Sequence, residues 1–306
     1  MESIIKVEGL KKYFKDVKAV DDISFQVEKG ELFGFLGVNG AGKSTTINML
    51  CTVFQPTAGN VEICGFKAGR EDEEIRRRIG VVYQNNCLDK RLTVKENLFI
   101  RGALYEKNSR RLTENISRIC EILELESVYN RRFSKLSGGL KRRCEIARAL
   151  VNTPEIMFLD EPTTGLDPAT RKAVWKSIDR LRREEKMTVF LTTHYMEEAA
   201  RASHIAIIDS GRLKEYGTPF ALKEAYAKDK LKLLPRKGEQ EELEQKLKEM
   251  QLVFKQKEEY LIAEIQESMA ALPILDMVKD IIGGFEMVQG SMDDVFLNVT
   301  GKKLEA

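Results

Sequence analysis

Nine consecutive residues constrain this chain more than any other feature. Gly37-Val38-Asn39-Gly40-Ala41-Gly42-Lys43-Ser44-Thr45 satisfy the pattern G-x-x-x-x-G-K-[ST] in full. Just upstream, Leu32-Phe33-Gly34-Phe35-Leu36 is a short apolar run suited to a buried parallel strand. Just downstream, Ile47, Leu50, Cys51 and Phe54 recur at helical spacing. The pattern therefore has the strand, loop and helix it needs. Gly37, Gly40 and Gly42 let the backbone curl, so that successive N–H groups of the loop, Asn39 and Ala41 included, point with the positive end of the new helix at a triphosphate. Lys43 adds a mobile charge between the β- and γ-phosphates, and Ser44 offers a hydroxyl to Mg2+, with Thr45 next to it. The competing reading is a glycine-rich turn before an ordinary helix; Lys-Ser directly after the last glycine argues against it.

A chain of 306 residues exceeds one average domain, so a main domain of about 200 residues with a smaller companion is expected. The formal charge is only +2 and the signs are mixed, so no field is expected that would gather nucleic acid or an acidic membrane face. The five cysteines, at positions 51, 64, 87, 120 and 144, form no C-x-x-C pair and point to neither a disulfide framework nor a zinc site. A reducing cytosol fits them best. The start Met1-Glu2-Ser3-Ile4-Ile5-Lys6 lacks a signal-peptide pattern, and no apolar run nears the ~20 residues that span a bilayer. Any membrane passage is therefore expected in another chain.

Taken in order, Ile4 to Val7, Val17 to Val20 and Ile23 to Val27 read as three strands of an antiparallel layer that precedes the loop. Tyr13 lies on a polar stretch, where its ring either stacks on a nucleotide base or merely covers the sheet edge; spacing does not choose between them. Val61 to Gly65 continues the strand region, and Ile79 to Tyr83 is another strand that ends on the ligand-capable amide of Gln84. From about residue 88 to 152 the pattern is helical, with a capping box at Thr93 and Glu96 and an apolar face at Ile116, Ile119, Cys120 and Leu123. Ser137, Gly138 and Gly139 open a further helix, either as a second anion-binding helix start or simply as a cap.

Ile156 to Leu159 is an apolar strand that runs into Asp160 and Glu161, an arrangement that supplies a magnesium ligand and, beside it, a water-activating base. Asp167 lies in the turn Gly165 to Pro168. After a helix marked by Val174, Ile178 and Leu181, the strand Thr188 to Thr193 delivers His194 at its carboxyl end, where open α/β sheets bind ligands. His204 has no such placement and reads as structural. Strand, helix and strand in this order give a parallel core and an α/β fold.

With these pieces in order, residues 2 to 220 resemble the ATPase subunit of ATP-binding-cassette proteins. Gly37 to Thr45 is similar to the Walker A loop, Gln84 to the Q-loop glutamine, and Leu136 to Leu140 to the signature. Ile156 to Asp160 with Glu161 resembles Walker B and the catalytic glutamate, Asp167 the D-loop aspartate, and His194 the switch histidine. Tyr13 falls where that family stacks an aromatic on adenine. The signature ends in Leu140 rather than the usual glutamine, leaving Ser137 and the Gly139 N–H for its contacts. The resemblance implies a phosphate-loop parallel sheet with an antiparallel β layer in residues 1–225 and a helical subdomain at about 88–152. It further implies ATP and Mg2+ as ligands, Glu161 as base, Lys43 and His194 on the γ-phosphate, and Ser44, Gln84 and Asp160 serving Mg2+. Two such cassettes pack head to tail, so each ATP on one Walker A loop meets the signature of the other.

Residues 226–306 are expected to form a small α+β unit in the order β-α-β-β-α-β, ferredoxin-like, with Ile282 closing its second helix and Phe285 to Val288 as the last strand. The ending Ser291 to Gly301 resembles the tail of cassettes in drug- and antibiotic-resistance exporters, which implies an ABC-2 type membrane subunit and a peripheral place on the cytoplasmic membrane face. The alternatives are an importer ATPase and a soluble cassette protein of ribosomes or nucleic acid; the latter usually has two cassettes or a long coiled-coil insertion.

Overall fold

The computed structural model describes residues 2–302, which divide after Thr218 into two compact units. In the first, β1 (Ser3–Phe14) and β2 (Val17–Glu28) form an antiparallel ribbon, followed by β3 (Leu32–Leu36) and α1 (Lys43–Leu50). Next come β4 (Ala58–Ile63), β5 (Phe66–Lys67), α2 (Asp72–Arg78) and β6 (Ile79–Val82). The helical stretch consists of α3 (Val94–Gly102), α4 (Ser109–Ile122) and α5 (Gly138–Leu150). The core resumes with β7 (Ile156–Asp160), α6 (Pro168–Glu185), β8 (Thr188–Thr193), α7 (Met196–Ala199), β9 (His204–Asp209) and β10 (Arg212–Gly217).

Two sheets result. One is antiparallel, in the order β2-β1-β4-β5; the other runs β10-β9-β3-β8-β7-β6, parallel except for β10 at its edge. The expected strands at 17–20 and 23–27 are one continuous strand. The Asp21-Asp22 step between them is a bulge with Asp22 left-handed at φ 66°, because the partner strand continues past it and only the local register shifts. The helix α2 lies in a charge-rich segment that carries only Ile75 into the core, so its periodicity was too thin to read from sequence.

β3, β7 and β8 are buried at every residue, as suits central parallel strands, with only Asp160 and the threonines of β8 interrupting their apolar runs. Phe190 of β8 sits among Phe33, Phe35, Phe158 and Phe25, with ring centroids 5.2, 5.6, 5.4 and 6.1 Å away. This aromatic cluster holds the β2 layer against the parallel sheet, and rings at such separations add to simple area burial. The carboxyl ends of β3, β7 and β8 consequently open on one side, where the loops gather.

The second unit begins with α8 (Pro219–Tyr226) and continues with β11 (Asp229–Pro235), α9 (Gln240–Glu249), β12 (Phe254–Lys257), β13 (Tyr260–Ile265), α10 (Ala271–Val278), β14 (Ile282–Val288) and α11 (Met292–Thr300). Its four strands pair in the order β12-β13-β11-β14, all antiparallel, over a core of Leu231, Leu233, Leu243, Leu247, Leu261, Ile274 and Val278. Ile282 does not close the second helix. It opens β14 opposite Pro235, because Lys279 to Ile281 turn the chain and tertiary pairing outweighs the helical spacing from Val278. Ser291 and Asp294 form a capping box that starts α11. Among the described residues no helix is long and apolar enough to cross a membrane.

Candidate active site

The loop after β3 turns so tightly that two of its glycines are required by contact. A Cβ on Gly37 would lie 2.5 Å from the Ile208 carbonyl of β9, and one on Gly42, at φ 110°, would lie 2.5 Å from the Ala19 carbonyl of β2. Only backbone without side chains fits between these strands and still leads into α1. The Lys43 side chain, 5% exposed, bends back over the loop to the carbonyls of Gly37 at 2.7 Å and Val38 at 3.2 Å. Its ammonium also stands 3.5 Å from Glu161 Oε1. Burial lowers the Lys43 pKa, against the pull of that carboxylate.

Asp160 ends β7, and its Oδ1 accepts the Thr192 hydroxyl of the neighbouring β8 at 2.7 Å. Burial pushes the Asp160 carboxyl above its ordinary range, and this hydrogen bond opposes the shift. Glu161 follows in a left-handed conformation, φ 46°, held by its N–H donating to the Thr192 carbonyl and hydroxyl, both at 3.1 Å. A left-handed glutamate is uncommon and costs energy, and here two bonds to β8 fix it. Its side chain is thereby swung toward the loop. Besides Lys43, the carboxylate reaches Gln84 Nε2 at 3.4 Å, the Thr164 hydroxyl at 3.2 Å and His194 Nδ1 at 3.5 Å. The His194 Nδ1 is buried without a hydrogen-bond partner in good geometry, which leaves it available to a ligand.

A cleft of about 550 Å3 opens over this cluster. It is lined by Asn39, Gly40, Gly42, Lys43, Ser44, Thr45, Gln84 and Glu161, together with Lys18 of β2 and the Ser210-Gly211 turn, which the sequence did not single out. Gly37, Ala41, Asp160 and His194 are not among the lining residues. Tyr13 does not line the cleft. Its hydroxyl donates to Asp21 at 2.6 Å, and the ammonium of its cross-strand neighbour Lys18, a lining residue, lies 5.5 Å from its ring. His204 caps no site, pairing instead with Glu31 at 2.8 Å.

Ser137, Gly138, Gly139 and Asp167 gather elsewhere. Ser137 caps α5 and Asp167 caps α6, whose Thr170 N–H it accepts at 3.1 Å; this capping holds the Asp167 carboxyl below its usual range. A Cβ on Gly139 would lie 2.3 Å from Thr170 Cγ2, so the two helix starts pack against each other. This locus contributes nothing to the lining of the cleft that holds Lys43.

Two further residues carry the arrangement and were missed. Thr192 binds both acids, but a threonine inside an apolar strand gives no signal until the neighbouring strand is known. Arg142, 5% exposed on α5, donates to the carbonyls of Tyr83 and Pro162, each at 2.5 Å, and of Asp160 at 3.2 Å; burial brings its pKa down to about 10. An arginine on the face that also carries Ile146 is the one hint sequence offered.

Comparison with known proteins gives these features a context. The family described as ABC transporter matches residues 20–164. The Nod factor export ATP-binding protein I of Paraburkholderia xenovorans (strain LB400) is 43% identical over 222 residues, spanning 72% of this chain and 73% of that protein. Its counterpart in Rhizobium sp. (strain N33) is 43% identical over 223 residues with the same two shares. Among solved structures, a dimeric ATP-binding cassette in a post-hydrolysis state, bound to ADP and Pi, aligns with a TM-score of 0.63 and 28% identity over 70% of this chain and 98% of that one. CbiO1 from Clostridium perfringens, part of the ABC transporter complex CbiONQ, aligns with a TM-score of 0.68 and 26% identity over 74% and 93%.

Proposed function

The chain belongs to the ABC transporter family as an ATP-binding subunit and ATPase, and on that premise we propose that it drives export by hydrolysing Mg-ATP at the Lys43 cleft. The observation that carries the reading is the convergence on Glu161. One carboxylate lies within 3.5 Å of the loop lysine, the amide of Gln84 and the imidazole of His194, which come from three separate strand ends.

In this reading the loop N–H groups and Lys43 hold the β- and γ-phosphates, and Ser44, Gln84 and Asp160 are the residues that would hold Mg2+, whose charge would offset that of the phosphate oxygens. So small a set of protein ligands suits an ion that keeps several waters and takes its remaining ligands from phosphate. Glu161 accepts the proton of the water whose oxygen attacks the γ-phosphorus in line, as the bond to the bridging oxygen breaks. His194 donates to a γ-oxygen. Ser137 and Gly139 serve the ATP on a second cassette, which accounts for a signature that does not line its own chain's cleft. Lys18, which lines the cleft, and Tyr13, whose ring lies against it, are the proposed neighbours of the base. The relatives named for Nod factor export favour an exporter over an importer, and the chain would then act on the cytoplasmic membrane face through a separate ABC-2 type permease. A drug, an antibiotic or a lipid-like compound is the proposed cargo class.

Glu161→Gln tests the reading. It should keep ATP affinity and lower kcat by about 10² to 10⁴, the usual worth of a general base. Turnover within a few-fold of wild type in the folded protein would sink it.

A further inference from the structure

Helix α5 carries Arg142 and Glu145, both buried, and the half-buried Arg148, one turn apart on a single face, and none of them lines the cleft. All three are spent on backbone. Arg142 binds the carbonyl of Tyr83, the residue before Gln84, and also the carbonyls of Asp160 and Pro162, the residues on either side of Glu161. Glu145 Oε1 accepts the N–H groups of Cys87 and Leu88 at 2.6 and 2.9 Å, on the far side of Gln84. Its other oxygen takes Arg148 Nε at 2.8 Å, and Arg148 Nη2 donates to the Val81 carbonyl at 2.7 Å. The exposed turn that holds Gln84 is thus gripped at both ends by one helix, and the same helix reaches the backbone of Glu161.

We propose that Arg142 is a positioning residue for ATP hydrolysis: with Glu145 and Arg148 it locks the helix that begins at Ser137 to the backbone of Gln84 and of Glu161, so that a shift of that helix start moves both groups against the nucleotide. This rests on the reading of Gln84 and Glu161 given above. Physically, the guanidinium is a rigid fork whose N–H groups reach three carbonyls at once, which a lysine ammonium on a flexible stem cannot reproduce in the same geometry. Charge-assisted bonds of this kind are short and directional. The two backbones it joins lie at and just beyond the ends of the neighbouring strands β6 and β7, so the side-chain contact between Gln84 and Glu161 depends on their being held together. Displacements of about 1 Å in such constellations cost up to about a hundredfold in rate. The distance from Ser137 to Arg142 is five residues along one rigid helix, so a contact made at the signature reaches Gln84 without passing through a loop.

The experiment uses the full chain and four proteins, wild type, Arg142→Met, Arg142→Lys and Glu161→Gln, with thermal melts, direct titration of ADP and ATP, and steady-state hydrolysis at varied Mg2+. Arg142→Met should bind ADP within about threefold of wild type, since the Lys43 loop is untouched, while kcat falls about 10- to 100-fold and half-maximal activity needs more Mg2+. Arg142→Lys should recover stability before it recovers rate, because it restores the charge but not the fork. A residue of merely structural importance would lower the melting temperature and leave kcat per folded molecule alone. That result, kcat within threefold of wild type in folded Arg142→Met, overturns the proposal provided Glu161→Gln is inactive. A fully active Glu161→Gln would instead overturn the site reading on which it rests. If Arg142→Met does not fold, Glu145→Gln is read on the same scale: a kcat loss of threefold or more at unchanged ADP affinity supports the proposal, and unchanged kcat refutes it.

Discussion

Thr192→Val removes a single hydroxyl from the centre of the sheet and tests whether Thr192 orients the acids at the end of β7. The hydroxyl is fully buried and gives its only proton to Asp160 Oδ1 at 2.7 Å. A hydrogen bond to a charged group is worth about 1.5–3 kcal/mol. Replacing the hydroxyl by a methyl in an apolar strand returns about 0.8 kcal/mol at most. The net loss is therefore about 1–2 kcal/mol, or about 2–8 °C in melting temperature for a unit of this size. The Glu161 N–H keeps its bond to the Thr192 carbonyl, so Glu161 should stay left-handed and the chain should still fold. Asp160 loses its side-chain donor, and its already raised pKa moves further up, so half-maximal ATPase activity should require more Mg2+. The assays are a thermal melt and a Mg2+ titration of ATP hydrolysis, with Thr192→Ser as the variant that keeps the hydroxyl and should behave as wild type. An unchanged melting temperature together with an unchanged Mg2+ response in Thr192→Val would refute the assignment.

Three further outcomes follow from the same geometry. Because Ser137 and Lys43 line different places on one chain, mixing inactive Lys43→Ala with inactive Ser137→Arg protein should restore ATPase activity through one intact composite site per mixed dimer; a mixture as inactive as its parents, together with no nucleotide-dependent crosslink between cysteines placed at Asn39 and Gly138, argues against completion in trans. Glu198, 2% exposed, accepts the Trp175 indole N–H at 2.8 Å and the hydroxyls of Thr193, at 2.7 Å, and Thr163. Glu198→Leu orphans three buried donors and should cost at least about 3 kcal/mol in denaturant unfolding, whereas a loss below about 1 kcal/mol would contradict this role. Asp21, held below the usual carboxylate range by the Tyr13 hydroxyl and then by Arg212, adds stability that is present above its unfolded pKa and disappears as pH falls through its lower folded value. Asp21→Asn should therefore be less stable than wild type at pH 7 and converge with it in acid; a constant gap at all pH values would exclude the linkage.

Much of this molecule was decided within short windows of sequence. The loop from Gly37 to Thr45, the apolar stretches within β3, β7 and β8, the acid pair at the end of β7 and the elements of the β-α-β-β-α-β stretch in the second unit are each readable over fewer than about a dozen residues. Local periodicity and turn chemistry act at that range. What the sequence could not settle are contacts between elements whose neighbours depend on strand order. Glu161 meets Gln84 and His194, 77 and 33 residues away, only because β6, β7 and β8 lie side by side. Thr192 binds Asp160 for the same reason, and the purpose of the buried Arg142 appears only when the carbonyls of Tyr83, Asp160 and Pro162 are brought around it. At Asp22 and Ile282 the local pattern even pointed elsewhere, and pairing with a distant strand prevailed, because a ladder of backbone bonds across two strands outweighs the weak preference of one or two residues.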